Sequence, residues 1–560
     1  MIQCPKCGGS SFHPRVSVKP NEILQQLRSS IGFTDQALTN QALHDAEKDL
    51  GDYDTEIARL ETAISVLKYK RERLEDYVAK CRSLLSPIRR LPPEILSLIF
   101  LFQCRKFANM FNLYEPDKTL PAFVLSQVCT GWRNVALNTP TMWSNLDIAV
   151  GWCSDPSGSR SKDIDLALPL IRQCLNRSSQ APLTLTLYFW GPLHRENDFS
   201  SILKALAATS HRWYSLEIQC DDNERDTELL SLWSQDVELS SLERLETSAS
   251  TLESLLEIST HLRRAPLLSC LFLDFVKHES GLTKILVLPL AQITSLTLSC
   301  YETPPENFEI LRQCIHLTDL VLVWDDNRSW GPPSRVGTNF ATTLDRLDNL
   351  RFEIWASGAT FKSMLSNLFS KITAPALKDL TISCESYHCK ENWSPNLGDI
   401  AEFVKRSGCT LSHLWIQASI IDSDCLSLLH LFPDLKVLTI EESVLHPISS
   451  RTITDSFING LRTTHHHTSS VSEGQSNTPC IPQLLHLSLY VYRPSFRPEM
   501  LNEMIRSRWI PDPTYSSEVG IACLRSIKVI GREKEVEQTL AYASLGELEK
   551  SGLQVEILGL

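Results

Sequence analysis

Six times between positions 317 and 529 the chain writes L-x-x-L-x-L, with isoleucine or valine allowed in its later places. The pattern opens at Leu317, Leu377, Leu411, Leu435, Leu484 and Leu524. Residues two apart on a strand point to one face, so its last two apolar positions are buried together. Five further short runs carry the same alternation, at 183–189, 216–218, 271–273, 296–298 and 350–354. Counted between central residues, Leu296 to Leu320 is 24 positions, Leu380 to Leu414 is 34, and Leu414 to Leu438 is 24. That period holds one strand and one return segment, and neither can bury its apolar edge alone. Stacked units share a continuous core and line up their strands in parallel.

Residues 148–560 are therefore expected to form a leucine-rich-repeat-like solenoid with a curved parallel sheet. The segments between strands agree. Ala401–Gly408 reads as a helix closed by a glycine cap, and Leu426–Leu431 as another. No regular asparagine ladder accompanies the leucines. Residues 463–482 are rich in Ser and Thr and poor in apolar residues, and are expected to be a disordered loop. His465, His466 and His467 fall in that loop and are assigned no ligand role. Cys384, His388 and Cys389 follow a predicted strand and are assigned to packing or to a loop.

Upstream, residues 20–86 read as helical. From Leu43 a heptad runs through Ala46, Leu50, Tyr53, Ile57, Leu60, Ile64, Leu67, Arg71, Leu74, Val78 and Cys81 to Leu85. Steps of three and four alternate, which makes a seam for a coiled coil over about 43–85. A return helix from 22–42 is too short to cover it, so a homodimer through the coiled coil is expected, in parallel register. Residues 1–19 hold Cys4-Pro-Lys-Cys7-Gly-Gly, half of a zinc knuckle: two thiolates on a turn that can curl around a metal. With His13 as a third ligand, or with a second chain, the pair binds zinc; otherwise it is a reduced turn. No other cofactor is expected.

The stretch Leu91–Trp143 carries the densest signal. Leu91-Pro92-Pro93-Glu94 is a helix start: proline has no N–H to lose in the first turn, and a carboxylate suits the positive helix end. Ile95, Leu96, Leu98, Ile99 and Phe100 then exceed what one buried stripe needs. Leu125, Val128, Cys129, Trp132 and Val135 recur at helical spacing. Together, Ser86-Pro87-Ile88-Arg89-Arg90 followed by LPPEIL, the Ile-Phe pair and the SQVC..WR..A run ending in a tryptophan resemble an F-box, in the form found in a large group of fungal F-box-like proteins that carry a coiled coil ahead of it. The resemblance covers 87–147, with 101–120 standing as an insertion longer than the usual spacing. It implies a small helical module that docks on a Skp-type adaptor of a cullin–RING ubiquitin ligase. Carried onto this chain, Leu91, Pro92, Glu94, Ile95, Leu96, Ile99 and Phe100 would lie at or near that contact, with Leu125, Val128, Cys129 and Trp132 beside it.

The balance of the sequence narrows the function. At 560 residues, several units are expected, giving a multi-domain α plus α/β chain. Net charge −12 argues against a nucleic-acid face. No apolar run reaches membrane-spanning length, and the N-terminus lacks a signal core. The 17 scattered cysteines fit reduced thiols of the cytosol or nucleus. No phosphate loop, dinucleotide fingerprint, H-E-x-x-H or G-x-S-x-G occurs, so no enzyme is expected. The resulting expectation is a non-catalytic substrate-recognition subunit of a ubiquitin ligase whose repeats hold an unidentified target protein. The alternative is a ligase-independent scaffold or homodimeric interaction module.

Overall fold

A computed structural model describes residues 2–3, 10–11, 14–29, 35–112, 120–151, 160–190, 196–220, 237–248, 265–275, 288–300, 309–325, 341–355, 365–366, 368–384, 393–418, 420–442, 451–463, 479–491, 495–531, 542 and 545–558. The chain divides into two compact units, Met1–Leu96 and Ser97–Leu560.

In the first unit, helix α1 spans Pro20–Ser29 and helix α2 spans Gln36–Leu84. Asp35 caps α2 by accepting a hydrogen bond from the Leu38 N–H, which satisfies one of the free donors of the first turn. Its 49 residues make a rod about 73 Å long. The helix stops before Pro87, which opens a 3₁₀ turn over Pro87–Arg90. Residues 30–34 lie outside the described residues, so the expected helical span 20–86 is found as two helices. The predicted seam is left bare: Leu43, Leu50, Ile57, Ile64, Leu67 and Leu74 are all exposed. Asp49 alone is buried on α2. Its carboxylate accepts from the Arg15 and Val16 N–H groups at 2.6 and 2.9 Å and pairs with the Arg15 guanidinium at 2.9 Å. At the N-terminus, strands Ile2–Gln3 and Ser10–Ser11 pair antiparallel. Cys4, Cys7 and His13, the expected zinc ligands, lie outside the described residues.

The second unit is built on a 15-stranded parallel sheet whose strands follow one another in chain order, with helices between them. All eleven strands expected from the alternation are present. Four more join them: Asn109–Asn112, Asn145–Gly151, Arg244–Ser248 and Gln554–Leu558. The architecture is an α/β solenoid-like stack. Pairing sets the central apolar residue of each strand beside that of the next, in a column that runs Leu146, Leu185, Leu216, Leu245 and onward to Leu487 and Ile527, buried throughout. A one-residue slip would turn every such side chain to solvent, so the column locks the register.

Neighbouring repeats are stitched by a recurring backbone device. Two successive N–H groups share one carbonyl of the preceding repeat. Thr318 and Asp319 donate to the Thr294 carbonyl at 2.8 and 3.0 Å, and Asp348 and Asn349 to that of Thr318 at 2.9 Å each. Lys378 and Asp379 use the Asp348 carbonyl in the same way, at 3.0 Å each. This backbone stitch recurs at the entries to the strands from Cys270–Phe275 to Ser526–Gly531, where the sequence offers no asparagine ladder.

Three boundaries expected from the sequence move. Residues 101–120 are not simply an insertion. Helix α3 (Pro93–Lys106) runs into that span, and Asn109–Asn112 is the first strand of the sheet. The solenoid therefore begins well before residue 148. The expected loop 463–482 is also shorter at both ends. Thr463 is buried and bonded to Ser507, while Cys480 and Ile481 are core residues. Residues 464–478 lie outside the described residues.

Candidate functional site

Helix α3 opens on Pro93 with Glu94 in its first turn. Outside the arc of Glu94, Ser97 and Arg105 it is largely apolar, and the structure resolves the apolar part into two stripes. Leu96, Phe100 and Cys104, four residues apart, are buried. Burial pushes the Cys104 thiol up to about 11, as expected for a small core residue. Ile95, Leu98, Ile99 and Phe102, at the complementary spacing, remain exposed, Ile99 by 44% and Phe102 by 72%.

Two short helices follow, α4 (Pro121–Gln127) and α5 (Thr130–Leu137). Pro121 stands at the first position of α4, where a missing N–H costs nothing. Cys129 is the cap of α5: its Sγ accepts from the Trp132 N–H at 3.4 Å. The Trp132 ring lies 4.8 Å from that of Phe100, tying α5 to the buried stripe of α3. Trp143 anchors the base of the module. Its indole N–H donates to the Ala136 carbonyl at 2.8 Å, Phe123 meets it edge-on at 5.1 Å, and the Arg177 guanidinium lies 4.4 Å above its ring.

Asn109 holds these pieces together. In the sheet register it stands beside Leu146, where every later strand up to Ser526–Gly531 carries an aliphatic residue. Fully buried, its amide instead donates to the Met142 carbonyl at 3.0 Å and the Asn145 carbonyl at 3.3 Å, and accepts from the Ala122 N–H at 3.3 Å. The sequence reading passed over it because it sits inside the supposed insertion.

The predicted contact residues thus separate. Pro92, Glu94, Ile95, Ile99 and Val128 are exposed, while Leu91, Leu125, Cys129 and Trp132 are half-buried. Leu96 and Phe100 are buried, Phe100 with 1% exposure. Leu98, Phe102 and Val124 are exposed apolar residues that the resemblance did not assign. The spacing 95, 98, 99, 102 was their signal.

A second surface is the face of the sheet opposite the leucine column. Asp147, Glu217 and Glu246 occupy one row of it on three strands, with Thr186 between the first two, and Asp274 lies one row further along the strand direction. Strands about 4.8 Å apart keep these carboxylates close. Desolvation, then Glu217 and Asp274, push Glu246 up to about 7; desolvation, with a smaller push from Glu217, brings Asp147 to about 6. Thr186 and Gln219 donate to the Glu217 carboxylate at 3.2 and 2.6 Å, and nearer the C-terminus Asp379 meets His413 at 2.8 Å and Glu556 meets Lys528 at 2.9 Å. Because the folded pKa of Glu246 is raised above its usual 4.5, the folded state holds the extra proton between those values, and stability falls as pH rises through that window. Glu246→Gln is expected to stabilise the chain at pH 8 by about 1–2 kcal/mol, after discounting for solvent screening, and to change little at pH 4. Thermal unfolding at both pH values checks this; an equal gain at both would remove the electrostatic cause.

Among the described residues no cluster of His, Cys, Asp or Glu is arranged to hold a metal ion, and no helix is long and apolar enough to cross a membrane. No family model matches the chain, and no curated protein matches it.

Proposed function

We propose that the chain is a non-catalytic, F-box-like substrate receptor. The module of α3, α4 and α5 docks on a Skp-type adaptor of a cullin–RING ligase, and the leucine-rich-repeat-like sheet holds the target protein. The observation that carries this reading is the exposed stripe of Leu98, Ile99 and Phe102, set on a helix whose other stripe is pinned by Phe100 against Trp132. A short helix that spends one apolar face on its own core and leaves another in water gains from a partner that seals it. The acidic rows of the sheet face favour a target segment carrying lysine or arginine. Chemistry on the target belongs to the ligase partners.

Capture of a recombinant Skp-type adaptor by the full chain tests the reading. Ile99→Asp and Phe102→Asp each place a charge on the sealing face and are expected to weaken capture at least thirtyfold, the loss typical of an interface hot spot. Exposure at both positions keeps the fold intact, which an unchanged thermal melt verifies. Undiminished capture by both variants would sink the proposal. A ligase-independent scaffold is the second reading, favoured by the bare seam of α2. Purification of the chain with its own copy and without adaptor selects it.

A further inference from the structure

The seam of α2 needs a cover about 64 Å long, and α1, with 10 residues, is too short to supply it. Ile23, Leu24 and Leu27 of α1 are themselves exposed. We infer that α2 pairs with α2 of a second copy of this chain, and that the two helices run antiparallel, crossing at Thr62. This inference goes beyond the adaptor reading and does not depend on it.

The direction follows from the residues that a seam must place opposite one another. In a parallel pair in register, Arg71 faces Arg71 of the copy inside one core layer. Asp49 then flanks Asp54 of the copy, and Glu56 flanks Glu61, each contact occurring twice, against one favourable flank, Lys70 with Glu75. Turning one helix over about Thr62 replaces all of these. Ile57 meets Leu67, Leu60 meets Ile64, Leu50 meets Leu74, and Leu43 meets Cys81. Arg71 now faces the Tyr53 ring, which can take a cation on its face. Glu56, which already accepts from Arg59 of its own helix at 2.6 Å, flanks Lys70, and Asp54 flanks Lys68. The remaining like-charge contacts, Glu61 with its own copy and Glu47 with Glu75, lie on the flanks. Flanking pairs at the surface are worth a few tenths of a kcal/mol each, so the core layer decides, and two guanidiniums in one layer are the costlier arrangement. A shift of one heptad in the same direction would put Arg71 against Leu60 or Ala46 and lose the aromatic partner. Asp49 already has Arg15 in its own chain, so the antiparallel pair asks nothing further of it.

In this arrangement the C-terminal ends of the two α2 helices stand about 66 Å apart, where a parallel pair would set them side by side. Mild oxidation of the full chain with copper–phenanthroline, followed by mass spectrometry of the linked peptides, reads the direction. The native chain is expected to give no Cys81–Cys81 link, and Leu43→Cys is expected to link position 43 to Cys81 of the copy. Charge variants give a second measurement. Glu56→Lys and Lys70→Glu are each expected to weaken dimerisation severalfold in sedimentation equilibrium, and the double variant to restore it. A dominant Cys81–Cys81 link, or tighter dimerisation by Glu56→Lys, would establish the parallel pair and overturn the inference. Single-chain mass at micromolar concentration would overturn it outright.

Discussion

Arg508→Ala is expected to cost the C-terminal repeats about 4 kcal/mol. Arg508 has no exposed surface, and its guanidinium donates to the carbonyls of Leu461 and Cys480 at 2.6 Å each and of Ile481 at 3.1 Å. Burial pulls its pKa down to about 10, so it stays charged at neutral pH. Alanine strands three carbonyls and opens a cavity, and the relief of no longer burying a cation offsets only part of that loss. Arg508→Met separates the terms, since it fills the space and donates nothing. It is expected to recover less than half of the loss in denaturant unfolding. Were the methionine variant as stable as the native chain, the carbonyl contacts would count for nothing. Arg212 acts alike on the Leu175 and Ala181 carbonyls, at 2.8 and 2.9 Å, and Arg406 on those of Ile372 and Phe369. Each arginine reaches back to the segment that closes the preceding repeat and supplies donors that a helix end lacks.

Asn109→Ala is expected to cost about 3 kcal/mol, since it leaves the Met142 and Asn145 carbonyls and the Ala122 N–H without their partner in a dry site. Hydrogen exchange should quicken first at the start of α4 and at the Asn145–Gly151 strand. Asn109→Leu supplies the aliphatic side chain found at this place in the later strands. If the position asks only for a column residue, leucine stabilises. If the amide is what holds the module, leucine destabilises about as much as alanine, and that is the result expected.

The strands were legible where hydrophobicity alone defines them. Leu380 and Ile382, or Leu438 and Ile440, alternate with polar residues and admit no other reading. Arg244–Ser248 escaped because Thr247 fills the second core position between Ile218 and Leu273. Its buried hydroxyl finds no partner among the described residues. Asn109–Asn112 escaped for a related reason, since an asparagine there succeeds only through bonds to residues more than ten positions away. On α3 the sequence showed excess apolarity but not its direction. Which of Leu96 and Ile99 faces inward depends on where the Trp132 ring lies, and helix periodicity permits either choice. The seam of α2 was readable from spacing, and its directional preference only from comparing each charge with the one it would meet.

The shared-carbonyl stitch has a mechanical implication. Among the described residues each inner strand of the sheet pairs only with its two immediate neighbours, so a pull on the chain ends meets a series of small, similar resistances. Stretched in an optical trap, such an array should lengthen in steps of one repeat, starting from the half-covered last strand, and rewind as the load is eased.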